Sequence, residues 1–413
     1  MNEYYDFLDR QINDVLGTDL EFNILLGAEP YKLEPNVLQG FFNRYALIKE
    51  FQEITLSLFN ASLNGEADPE IASLILNELP EHQGWNYHKD LNLKDTPVFF
   101  RTDEVIPGKI SEIQSPASLW GICDQLYHLY KYYSSIFGDC VSFPNSLSEN
   151  FSNALKQYMG TVPLVHHLTD NSSIPNDMRF FIQQTRKYGV KYYTYDKDIT
   201  PYNCNFVRSH AFAGLWADNY FLERLARYKA GNLNYDLPPT ILFDEKMLYM
   251  LPFWHKTRHY YSDQIRDMFP YTQLITPDGF IFEDGTRIDI ESFCNLSQKQ
   301  RNYYIKYAGS DLSIKWGSKG VYLASTFSGI KSRQFFENIV KDFHNKRYWI
   351  IQKAYLTDDI ADYITKNNEI VHANVHSKVS GFYGPAGLMG ILVMQRPFYK
   401  VHGSEETIVS ICQ

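Results

Sequence analysis

An α+β fold is predicted by three features of the sequence. Residues 1–90 carry apolar residues at three- and four-residue steps, the period of helices with one buried face. Residues 161–196 run strand, helix, strand, the order of a βαβ unit with parallel strands. Beyond residue 300, short aromatic and β-branched runs alternate with an amphipathic helix.

In chain order, "NVLQGFFNRYALIKEFQEITLSLFNASL" reads as a long amphipathic helix. "ADPEIASLILNEL" reads as a second, with Asp68 as cap and Pro69 in its first turn. "FFRTDEVIPGKISEIQSPA" follows as a β-hairpin around a Pro-Gly turn, and "SLWGICDQLYHLYKYYSSIF" as another helix. "TVPLVHHL", "DMRFFIQQTRKYG" and "VKYYTYD" form the βαβ unit, with Gly189 as the helix stop and "NCNFVRSH" as the next strand. Pro-Pro in "LPPTILFDEKMLYMLPFWH" marks a break before a helix. "YYIKYAG", "GVYLAS" and "YWIIQKAYL" are strands, with the helix "SRQFFENIVKDFHNK" between the last two.

A chain of 413 residues implies two or three packed subdomains, with no internal repeat or low-complexity linker between them. The aromatic share of 16% fits extra core filling or a large ligand-lining surface. A net charge of −9 argues against broad nucleic-acid binding and leaves room for a nucleotide in a local basic pocket. Five widely spaced cysteines without a CxxC suggest neither a disulfide framework nor a zinc site. With neither a signal-peptide pattern nor an apolar run of about 18 residues, the expectation is a cytoplasmic protein away from the membrane.

Four stations carry candidate chemistry. In the hairpin, Arg101 and Asp103 sit two apart on one strand, and Glu112 and Gln114 two apart on the other, so each pair projects from one face. Asp103, Glu112 and Gln114 supply hard oxygens suited to Mg²⁺, and Arg101 a fork suited to a phosphoryl group. Two solvated strands with a cross-strand Arg–Glu pair would look the same. Lys246, in "LFDEKMLYMLPFW", either reaches an anion or pairs on the surface with Asp244 or Glu245. Lys306 lies in an apolar strand, an expensive place for an unpaired charge. After it, "WGSKG" places Gly317, Ser318, Lys319 and Gly320 in a turn fit to wrap phosphate oxygens, or to serve as a plain hairpin turn. Gln352, in "RYWIIQK", ends a strand whose backbone groups suit a purine edge, or is simply the polar end of a buried strand.

Taken in order, these stations resemble the circularly permuted ATP-grasp ligases typified by glutathionylspermidine synthase. "RTD" and "SEIQSP" match that family's Arg-x-Asp, turn, Glu-x-Asn magnesium hairpin; "DEKMLYMLPFW" matches its lysine helix. "IKYAGSDLSIKWGSKGV" matches its strand lysine and glycine-rich lid, "YWIIQKA" its hinge, and "GPAGLMGILVMQRPF" its closing strand. The chain departs from the family at Gln114, where an Asn is usual, and at Lys353, where an acidic residue is usual. The lid reads "WGSKG" rather than "GREG", and residues 1–90 have no counterpart in the family pattern.

The resemblance implies an ATP-grasp fold of two α+β lobes around ATP. Residues 1–90 would form an N-terminal helical region, 91–160 the metal-binding hairpin and helix, 161–240 a βαβ substrate-side region, and 241–413 the nucleotide lobe and C-terminal strands. It also implies an ATP- and Mg²⁺-dependent carboxylate–amine ligase working through an acyl phosphate. Arg101 would be catalytic; Asp103, Glu112 and Gln114 would hold the metal. Lys246, Lys306, the 317–320 turn and Gln352 would bind the nucleotide. Ser118 and Arg208 are weaker substrate-binding candidates, Arg208, in "FVRSH", either for a substrate carboxylate or as part of a structural salt bridge. The alternatives are an ATP-binding module without catalysis and an ATP-dependent phosphotransferase. The partners expected are an acid and an amine, neither named by the sequence, and the oligomeric state is open.

Overall fold

Local sequence rules account for the first helices. A computed structural model describes residues 24–105, 108–115, 118–132, 143–168, 176–209, 212–216, 218–315, 318–365, 369–401 and 406–412. The helix Pro35–Asn64 buries Phe41, Ile48, Phe51, Leu56, Phe59 and Leu63 along one face, each contributing about 1.5–3 kcal/mol by burial. Gly65 ends it at φ 78°, a left-handed conformation that glycine adopts without strain. Asp68 then accepts a bond from the Glu70 N–H at 2.9 Å, and Pro69 opens the helix Pro69–Ile75.

Strand β1 (Leu25–Gly27) lies within the span that the sequence predicts to be helical. Three residues carry too little periodicity to announce a strand, and this one is made by pairing with distant segments. Strands β2 (Phe100–Val105) and β3 (Lys109–Gln114) form the predicted hairpin. Next come β4 (Leu164–Leu168), β5 (Lys191–Tyr192), β6 (Phe206–Ser209) and β7 (Asn234–Tyr235), an all-parallel sheet in the order β5-β4-β6-β7. The helix Asn176–Lys187 links β4 to β5, as the βαβ pattern predicts.

The apolar segment after Pro238 and Pro239 differs from its predicted α-helix. It forms two 3₁₀ turns, Leu242–Asp244 and Lys246–Met250, the second buried throughout. Pro252 has no N–H with which to continue an α-helical ladder, and the packing supports the tighter turns.

Strands β8 (Thr272–Leu274), β11 (Tyr303–Tyr307), β12 (Val321–Leu323) and β13 (Trp349–Lys353) form an antiparallel sheet in the order β12-β11-β13-β8; β9 (Phe280–Ile281) and β10 (Arg287–Ile288) make a small separate ladder. The helix Gly329–His344 lays Phe336 and Ile339 into the same apolar cluster as Ile305 and Ile351 of this sheet. Finally β14 (Asp359–Ile364), β15 (Ile370–Gly384), β16 (Gly387–Arg396) and β17 (Ile408–Ile411) join β1, β2 and β3. Among the described residues this sheet has seven strands, in the order β14-β1-β17-β16-β15-β2-β3. Because β14 also pairs with β15, the strands β14, β1, β17, β16 and β15 close into a ring.

Buried polar contacts tie the parallel sheet to the hairpin. Asp236, just after β7, accepts from the Phe99 N–H at 3.0 Å and from Arg208 Nε at 2.8 Å. The Arg208 guanidinium also lies over Trp120 and Phe151, its carbon 4.9 and 4.7 Å from the ring centres. Removing one partner of a buried ion pair strands the other charge, at about 3–5 kcal/mol. Asp236→Ala is therefore expected to lower unfolding stability by about that amount in urea titration; a loss under about 1 kcal/mol would contradict this account.

Candidate functional site

The hairpin register brings its four polar residues together. Arg101 lies opposite Gln114, and Asp103 opposite Glu112, with an irregularity just after Asp103. On the other side of β2, Asp103 lies opposite Ser380 of β15. Arg101 grips the Asp103 carboxylate with Nε at 2.9 Å and Nη2 at 3.2 Å, while its Nη1 donates to the Ser118 carbonyl at 2.8 Å. Lys378 Nζ and Ser380 Oγ each reach Asp103 at 2.8 Å, and Gln114 Nε2 lies at 3.5 Å. Burial alone would push the Asp103 carboxyl up; Arg101 and Lys378 outweigh it and hold the group well below the usual carboxylate range.

Two lysines from distant parts of the chain complete the cluster. Lys246 Nζ stands 3.5 Å from Glu112 Oε1, whose side chain is 31% exposed. Lys306 Nζ donates to the Ser111 carbonyl at 3.0 Å, across 195 residues of sequence. Burial pushes Lys306 down to about 8, with Glu112 opposing. Glu112 itself is lowered: burial raises it, and Lys246 is the leading opposing cause. Four cations, Arg101, Lys246, Lys306 and Lys378, thus surround two carboxylates, Asp103 and Glu112. The excess of positive charge suits an anion.

Five of these side chains border a cleft. Asp103, Glu112, Lys246, Lys306 and Lys378 line one part of it; Tyr304, Val321, Tyr355, Leu356 and Tyr399 give it an apolar wall. Polar groups at one end and rings along the side are the usual make-up of a small-molecule site. The segment 309–315 is docked beside it. Lys315, on the short helix Leu312–Lys315, lies 3.3 Å from Glu245 and 3.6 Å from Asp244, and its carbonyl accepts from Lys246 Nζ at 3.1 Å.

The other sequence candidates are placed as follows. Ser318 lines the cleft at φ 58°. Lys319 is exposed and is not on the cleft wall. Gly320 is required by crowding, since a Cβ there would come within 2.7 Å of the Ile314 carbonyl oxygen. Gly317 lies outside the described residues. Gln352 is buried and donates to Thr272 Oγ1 at 3.1 Å; it shares a sheet face with Tyr304 but does not line the cleft. Ser118 sits behind Arg101. Arg208 is 1% exposed in the aromatic core and away from the cleft, so its placement favours the structural salt bridge over a substrate contact. Lys246 pairs with Glu112, and the carboxylates at 244 and 245 go to Lys315 instead.

Sequence reasoning missed Lys378, Ser380, Lys400 and the tyrosine wall. A signal existed for the first two: Lys378 and Ser380 stand two apart in a strand that becomes wholly buried, the same spacing that drew notice at Arg101 and Asp103.

The donor set bears on magnesium. Among the described residues no group of three or more His, Cys, Asp or Glu side chains is arranged to hold a metal ion. Both Asp103 oxygens already accept from Arg101, and Glu112 keeps accessible surface. Such a site fits Mg²⁺ in the manner where one or two carboxylates act together with phosphate oxygens, not as a dedicated protein cage.

No protein-family model matches the chain, and no curated protein does. Among solved structures the chain is similar to a glutathione synthetase-like effector from Globodera pallida in its apo form, with a TM-score of 0.54 and 13% identity. The match covers 100% of this chain and 96% of that one, so it takes in the N-terminal helical region as well. The chain therefore has a mixed α+β fold similar to that of this effector. Among the described residues no helix is long and apolar enough to cross a membrane.

The lowered Lys306 gives the site a pH signature. Between about 8 and its ordinary 10.5, Lys306 binds fewer protons folded than unfolded, so stability rises with pH in that window. Lys306→Met should remove that rise in pH-dependent denaturation. Affinity for inorganic pyrophosphate, followed by calorimetry, should fall as pH passes about 8 in the parent and vary less in the variant.

Proposed function

We propose that this chain is a circularly permuted ATP-grasp enzyme, an ATP- and Mg²⁺-dependent carboxylate–amine ligase. The observation that carries the reading is the convergence of Lys246 and Lys306 on the Asp103–Glu112 hairpin in one cleft. Three lysines and two carboxylates at one end, with tyrosines along the wall, match the chemistry of a nucleoside triphosphate. The fold similarity to a glutathione synthetase-like effector supports a ligase reading.

In that reaction a substrate carboxylate oxygen attacks the γ-phosphorus of ATP, and ADP leaves. The amine nitrogen then attacks the acyl carbon, releases phosphate and loses a proton. The protein's work is charge neutralisation and positioning. Lys246, Lys306 and Lys378 offset the charge on the phosphoryl oxygens as bonds exchange. Glu112, with Asp103 beside it, would hold Mg²⁺, which would supply further neutralisation of the triphosphate charge. Arg101 acts through Asp103, fixing the carboxylate that in turn orients Lys378. Lys315 fastens its segment against Asp244 and Glu245 beside the cleft, which shields a hydrolysable acyl phosphate from water.

Specific observations also favour a second reading, nucleotide binding without turnover. Asp103 is already saturated by Arg101, Lys378 and Ser380. Gln352 is tied to Thr272, Lys353 is drawn to Glu283, and the structural neighbour is described as an effector.

Incubating the protein with ATP, Mg²⁺ and pools of acids and amines, with mass detection of new amides, separates the two. The ligase should release ADP and phosphate only when both acid and amine are present. Lys378→Ala should lower kcat/KM by roughly 10²-fold or more, the scale of losing one preorganised donor. ATP binding without any ATP-dependent amide would favour the second reading.

A further inference from the structure

A fourth lysine lines the cleft that neither the hairpin nor the lysine stations explain. After β16 the chain passes over the cleft, and Tyr399, Lys400 and Val401 all line it. The Tyr399 carbonyl accepts from Tyr304 Oη at 2.7 Å, which fixes this strap to the tyrosine wall. Lys400 Nζ donates to the Ser318 carbonyl at 3.3 Å and lies 5.0 Å from the centre of the Tyr322 ring. Among the described residues no carboxylate forms an ion pair with it. Burial lowers Lys400 below its ordinary value.

A half-buried ammonium that faces a cleft, with no counter-ion among the described residues, is suited to an anion supplied by the ligand. Its position selects which anion. Lys400 is carried by the residue next to Tyr399, at the ring-walled part of the cleft, where a base would lie. The other lysines gather at the hairpin. We propose that Lys400 binds the phosphate adjoining the nucleoside, so that the phosphate chain runs from the strap to the hairpin cluster. This rests on the nucleotide reading given above. The strap thereby contributes to ligand recognition as well as covering the site.

The test compares Lys400→Met with the parent by calorimetric titration of ATP, ADP and adenosine. Methionine keeps an apolar stem against Tyr322, and thermal unfolding checks that the variant is folded. The expected result is a similar loss of affinity for ATP and ADP, about tenfold or more, with adenosine unchanged. Lys378→Met, at the far end, should weaken ATP more than ADP. Unchanged ADP affinity in Lys400→Met, or an equal weakening of adenosine, overturns the assignment while leaving nucleotide binding intact. A parent that binds none of the three overturns the nucleotide reading together with this one.

Discussion

The site depends on one buried carboxylate. Asp103 sits at 1% exposure in the middle of β2, where an isolated charge would be several kcal/mol uphill. It is tolerable because Arg101, Lys378 and Ser380 surround it with charge-assisted bonds. That shell has a structural effect as well as an electrostatic one: it locks β2 to β15 and sets the direction in which Lys378 points. With Arg101 and Lys378 engaged there, Lys246 and Lys306 are held by Glu112 and by backbone carbonyls, weaker partners that a polyanion can displace. The division of labour in the cleft follows from how one aspartate is satisfied.

Much of this architecture was legible in residues whose meaning is local. The hairpin could be read because strand period and turn chemistry are short-range rules, and "RTD" with "SEIQ" obeys both. The parallel unit could be read because strand, helix and strand each carry their own periodicity. Strand β1 could not, since three residues become a strand only when β17 and β14 arrive beside them. The turns at 242–250 look helical by spacing and were decided by packing and Pro252. In the site, Lys306 stood out because a charge inside an apolar strand demands an explanation. Lys400 did not, because nothing in "RPFYKVHG" says that the segment crosses a cleft. Gln352 sits on the expected sheet face, yet its side chain turns to Thr272, a choice made by a neighbouring strand.

The segment beside the cleft shows how a mobile-looking sequence is given a fixed place. Ser310 Oγ donates to the Asn77 carbonyl at 3.1 Å, Arg347 reaches Asp311 at 3.3 Å, and Lys315 is buried between Asp244 and Glu245. Asn77 belongs to the N-terminal helical region, so that region helps to hold the cleft's cover. The aromatic richness of the chain has two uses for the same reason. Phe99, Trp120, Phe151 and Phe382 fill a core around Arg208, while Tyr304, Tyr355 and Tyr399 are left to face the cleft.

The ring made by β14, β1, β17, β16 and β15 constrains how the molecule assembles. Its closing ladder joins Leu25 to Ile408, so two segments far apart in the sequence must be brought together before the last pairing forms. Loop closure over such a span is entropically unfavourable and slow, which makes this pairing a late event in folding. Until then the flanks of β1 and β17 present bare backbone to other chains; once joined, they offer far less of a template for intermolecular strand addition. The final seam of the ring therefore also removes the free edges of β1 and β17 from intermolecular pairing.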